Sequence, residues 1–159
     1  MNEIDALVPG FAAALERVPG TAHAYQRLGA ALARSPLSVR NRAMIAVAVA
    51  HQVRCDYCAW VAMRAGERQG LSAEEMFFAS AGTSLLPREA ALVRIATRMV
   101  ANGVLLKQVQ CEPHEAAIVA EADMIEIAAY VAFCVLTCYV LQEIAPKAGT
   151  AATQPDREV

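Results

Sequence analysis

Apolar residues recur at three- and four-residue spacing along most of this chain, and runs of β-branched residues are short. That periodicity predicts helices almost throughout. Pro9-Gly10 precedes a short apolar piece that stops at Pro19-Gly20, and Thr21 is placed to cap a second helix reaching about Ala33. Ser35-Pro36 breaks the pattern, and Ser38 is the expected N-cap of "VRNRAMIAVAVAHQ", all-apolar between Arg42 and His51 and therefore a core helix. After a pause at Val53-Arg54, a helix starts at "CDYC" and runs to about Gln69, with Gly70 as its stop. "SAEE", Ser72 to Glu75, is a capping box opening a short helix that ends near Gly82. "LLPREAALVRIATRMVANG" has Pro87 early and Gly103 at its close. Beyond a loop at 110–113 come one short helix and a long apolar one ended by Pro146.

The pattern predicts an all-α single domain of about seven helices over residues 1–146, with a polar tail, 147–159, expected to be disordered. The stretch "IAAYVAFCVLTCYVLQ", Ile127 to Gln142, carries no charge and is bracketed by Glu126 and Glu143. It falls short of the roughly 20 residues of a membrane span and reads as a buried or interface helix.

Composition sharpens this. At 159 residues the chain suits one domain, and 57% hydrophobic residues against 19% charged is apolar for its size. A small domain of such composition is expected to associate with further copies through apolar helices. A net charge of -2 without any Lys/Arg cluster argues against nucleic acid. Glu3 and Asp5 stand where a secretory signal would carry positive charge, so a reducing cytoplasm is expected and a disulfide framework among five cysteines is not.

The candidate chemistry is Cys55 and Cys58. Both lie at the expected start of a helix, where the dipole and unpaired N–H groups stabilise an anion, and Arg54 adds a cation. Spacing i, i+3 brings two sulfurs within disulfide reach, as a two-electron dithiol cycle requires. Redox pair, half of a metal site and inert core remain open at this level. A metal would need further ligands, and with only His23, His51 and His114 available the usual zinc spacings are absent, so neither metal nor cofactor is expected. Cys134 and Cys138 read as core packing.

The entry "VPGFAAALERVPG", then "SPLSVRNRAMIAVAVA", "CDYC", "GERQGLSAEEM", "LPREAALVRIATRMVANG" and "EADMIEIAAYVAF" come in an order and spacing that resembles the carboxymuconolactone decarboxylase-like family, over about Leu7 to Ile144. Within that family it resembles the alkylhydroperoxidase (AhpD-like) branch. The resemblance implies an all-helical fold, a homo-oligomer (trimer or hexamer), a hydroperoxide substrate and a dithiol reductant. It also implies that Cys58 attacks the peroxide while Cys55 resolves. In that branch a Glu twelve residues before the first Cys and a His four after the second take the proton through water. Here those positions are Ala43 and Ala62.

His51, at the end of the preceding helix, is the candidate substitute base; its duller reading is a helix C-terminal histidine bonding the last carbonyls. Tyr57 reads as a donor, Trp60 as packing, and Glu126 as a helix-start carboxylate. The expected function is thus a thiol-dependent alkylhydroperoxidase-like oxidoreductase. A decarboxylase-type lyase and a non-catalytic redox-sensing module are the alternatives.

Overall fold

The computed structural model describes residues 3–101 and 111–145. Gly103, Pro146 and the 147–159 tail, each given a part above, lie outside them. The described residues form helices and connecting turns with no strand, which bears out the all-α fold.

Three short or medium helices open the chain: α1 (Glu3–Leu7), α2 (Phe11–Glu16) and α3 (Pro19–Leu32). α1 precedes the entry piece expected from the sequence. Pro19 is the first residue of α3 and Val18 its N-cap, so Thr21 lies inside the helix rather than capping it. The physical reason is that proline's fixed φ suits the first helical position, where its missing N–H would have had no partner anyway.

The core is built around α4 (Val39–Gln52), whose residues Ala43 to Ala50 are buried apart from half-buried Ala46. Ser38 caps it by accepting the Asn41 N–H at 3.0 Å. α4 packs against α5 (Asp56–Arg68), α6 (Ala73–Ser80), α7 (Pro87–Ala101) and α9 (Glu121–Ile144), with the short α8 (Pro113–Ala116) between the last two. Gly70, at φ +86°, closes α5: its own N–H reaches Glu67 O and the next N–H, on Leu71, reaches Gly66 O. The capping box at α6 is present in both directions, Ser72 with Glu75.

Ion-pair clusters among the described residues tie helices together away from the cysteines. Arg40 of α4 bonds both Glu75 and Glu89. Fully buried Glu115 of α8 receives Arg94 at 3.1 Å and also Arg98, both from α7.

The last helix departs from its sequence reading. α9 has 24 residues, and its most apolar 18-residue stretch has mean hydropathy 2.1, so by length and composition it is long and apolar enough to cross a membrane. The charge-free stretch understated it, because the helix starts at Glu121, and Glu126 stands in its second turn rather than at its start. One side of α9, with Ile127, Val131, Phe133, Cys134, Cys138 and Leu141, is buried against the other helices.

Candidate active site

The turn from α4 into α5 positions the cysteines. Arg54 adopts φ +53° and gives its N–H to the His51 carbonyl at 3.0 Å. That left-handed residue ends α4 and swings the chain so that Cys55 becomes the N-cap of α5. Cys55 Sγ accepts the Cys58 backbone N–H at 3.2 Å, as a capping side chain does. Cys55 and Cys58 are paired as a disulfide with their Cα atoms 5.2 Å apart.

The two sulfurs face different surroundings. Cys55 is half-buried, whereas Cys58 is only 1% exposed. Cys58 Sγ lies 3.6 Å from the Cys138 carbonyl oxygen of α9. Cys58 also lines a cavity of about 130 Å³ between α4, α5 and α9, and Cys55 does not. The α4 and α5 sides of that cavity include Ala43 and Ala62, and α9 adds Tyr130, Cys134, Thr137 and Cys138. The two positions that carry the base and its partner in the alkylhydroperoxidase branch are therefore brought beside the inner sulfur, but as methyl groups.

No carboxylate, imidazole, amine or guanidinium lines the cavity among the described residues. Its titratable groups are poor bases. Burial drives the Cys134 thiol far up and the Cys138 thiol up to about 11. Burial, together with the neighbouring Cys134, likewise pushes Tyr130 well above its ordinary range. Tyr25 OH and Thr137 Oγ1 are 2.8 Å apart behind this wall, and since Thr137 donates to Phe133 O, Tyr25 is the donor of that pair.

His51 is exposed on the last turn of α4 and is not part of the cavity lining. Trp60, 39% exposed, stacks on Tyr57 with ring centroids 6.1 Å apart, and burial raises the Tyr57 phenol. Among the described residues no group of three or more His, Cys, Asp or Glu side chains could hold a metal ion. The α9 wall was the part that sequence reasoning missed. Its only signal was the i, i+4 pair Cys134 and Cys138 on an apolar helix, a pattern that plain core packing also produces.

Residues 19–98 match the profile of the Carboxymuconolactone decarboxylase family. The match spans α3 to α7 and so includes both cysteines, while α9 lies beyond it. Neither the curated proteins nor the solved structures contain a match to this chain. With half of its length aligned to that profile and an all-helical fold around a paired C-x-x-C, the chain belongs to the carboxymuconolactone decarboxylase family.

Proposed function

We propose that this protein is a thiol-dependent oxidoreductase of the alkylhydroperoxidase type, cycling Cys55 and Cys58 between dithiol and disulfide. The observation that carries the reading is the pair itself, held within disulfide reach at the first turn of α5 with one sulfur on a cavity. A hydroperoxide accepts two electrons: one thiolate takes its terminal oxygen, leaving an alcohol and a sulfenic acid. The second thiol condenses with the sulfenic acid, releasing water and forming the disulfide. An external dithiol then restores the pair by exchange.

A proton acceptor for this cycle must lie outside the base-free cavity, and exposed His51 on the preceding turn is assigned that part. The decarboxylase alternative is less well supported, since the cavity lining offers no cation to receive a substrate carboxylate. The redox-module alternative draws on the same missing base, because a positioned base contributes about 10²–10⁴-fold to rate. We further assign the protein to a reducing, cytoplasmic setting. We place a homo-oligomer contact, in a trimer or hexamer, on the apolar outer face of α9, where Ile125 is 70% and Tyr139 66% exposed.

Single-turnover oxidation tests the reading. The reduced protein, freed of reductant, receives a small excess of an alkyl hydroperoxide, and its mass is followed by timed quench. Loss of two hydrogens within seconds supports the cycle. A mass unchanged over many minutes rules out the peroxidase and leaves the redox-module reading.

A further inference from the structure

We infer that Cys55 is the thiolate that meets the oxidant and Cys58 the thiol that resolves it, the reverse of the roles carried over from the alkylhydroperoxidase branch. The inference rests on the dithiol cycle proposed above and assigns its order. Its ground is the difference in surroundings between the two sulfurs.

Cys55 Sγ sits at the N-cap of a 13-residue helix and receives a backbone N–H at 3.2 Å. A hydrogen bond to the charged form and the positive end of the helix dipole both favour a thiolate there. Arg54, next in the chain, adds to this, while exposed Asp56 in the first turn opposes it. On the α4 side the titratable neighbour in the chain is His51.

Cys58 has the opposite environment. It is 1% exposed, sits among apolar side chains and has a carbonyl oxygen 3.6 Å from its sulfur. A carbonyl accepts from an S–H but repels a thiolate, and burial disfavours the charge further. The titratable side chains that α9 turns toward the cavity, Tyr130, Cys134 and Cys138, are all weak acids, and Ala43 and Ala62 contribute no base. Among the described residues lining this cavity no base takes the Cys58 proton, whereas Cys55 ionises toward the outer face.

The steps balance in this order. The Cys55 thiolate attacks the terminal oxygen of a hydroperoxide; the O–O bond breaks, Cys55 becomes a sulfenic acid, and the departing alkoxide takes a proton from water. Cys58 then attacks Cys55 Sγ, its proton leaving with the sulfenic oxygen as water, and the disulfide closes. Because the oxidant meets Cys55, it need not fit the cavity of about 130 Å³, so bulky aromatic hydroperoxides are accepted alongside small ones.

The test uses the full chain with Cys55→Ser and Cys58→Ser, each reduced and then treated with cumene hydroperoxide in the presence of dimedone, which traps sulfenic acids. Serine at position 55 keeps an N-cap oxygen, so that helix start is preserved. Adducts are placed by fragmentation, since both cysteines fall in the one peptide between Arg54 and Arg64. The expected result is fast labelling of Cys55 in Cys58→Ser and labelling of Cys58 in Cys55→Ser slower by about 100-fold. Equal or faster labelling of Cys58 overturns the assignment while leaving the dithiol cycle standing. Failure of the wild-type pair to oxidise overturns both. Should a variant not fold, a brief iodoacetamide pulse on the reduced wild type decides instead: Cys55 is expected to react at least about 10-fold faster than Cys58, and the reverse order overturns the assignment.

Discussion

Cys58 Sγ lies 3.6 Å from the carbonyl oxygen of Cys138, so the inner sulfur of the pair rests on the backbone of α9. In the reduced protein this carbonyl can accept the Cys58 S–H, and in the disulfide that donor is gone. Closing so short a loop constrains the unfolded chain little, by about 2 kcal/mol at most. Reduction is therefore expected to lower stability by no more than that amount, which thermal unfolding with and without a dithiol reductant would measure.

The methyl of Ala62 lines the same cavity as Cys58. Ala62→His would place an imidazole where the alkylhydroperoxidase branch has one. Single-turnover oxidation is expected to quicken by about 10²-fold, the range of a positioned general base. In a Cys55→Ser background the dimedone adduct should then form readily on Cys58. An unchanged rate would mean that the cavity cannot order the water such a base works through.

Arg54 holds a left-handed backbone, φ +53°, at a position where glycine meets no Cβ penalty. Arg54→Gly is expected to stabilise the fold by about 1 kcal/mol, read as a higher midpoint in urea. It also removes a cation beside Cys55. An exposed charge at a helix end contributes about 0.3–1 kcal/mol, so alkylation of Cys55 should slow by less than about 5-fold. Stability and reactivity moving in opposite directions would separate the two roles of this residue.

Glu115 is buried, which by itself would raise its carboxyl. The bonds from Arg98, the Glu112 N–H and Arg94 outweigh that and bring it down to about 2. A carboxyl held below its unfolded value contributes stability that is present above the ordinary value of about 4.3 and is lost as pH falls from there toward 2. Acid unfolding of the wild type should show that loss. Glu115→Gln should cost about 2 kcal/mol at neutral pH, less than the breaking of a fully buried pair because both arginines are partly exposed, and should flatten the acid limb.

The outer face of α9 presents Ile125, Leu136 and Tyr139 to solvent in one chain, beside a groove that also includes Met99 and Met124. If copies associate there, Ile125→Glu combined with Tyr139→Glu should lower the mass found by sedimentation to that of a monomer. A wild type already monomeric, or a mass unchanged by the double substitution, would remove α9 as the contact.

Local chemistry made much of this protein legible without coordinates. The 3.6-residue periodicity, the Ser38 cap, the Ser72–Glu75 box and the Gly70 stop depend on neighbours within a few residues, and each stands as read. The placement of Cys55 and Cys58 at a helix start is local in the same sense, because i, i+3 geometry alone brings the sulfurs together. Where two local signals competed, as at Thr21 against Pro19 or at the beginning of α9, the boundary moved by a turn or so. What separates the two sulfurs is not local at all. Residues of α9, distant in sequence, supply the carbonyl over Cys58 and one wall of its cavity, while Ala43 and Ala62 meet there only because α4 packs on α5. Local chemistry alone specifies a helical chain with a dithiol at a helix end. Tertiary packing decided which sulfur is buried beside a carbonyl and which faces outward, because burial and the direction of a backbone dipole exist only once the helices are assembled.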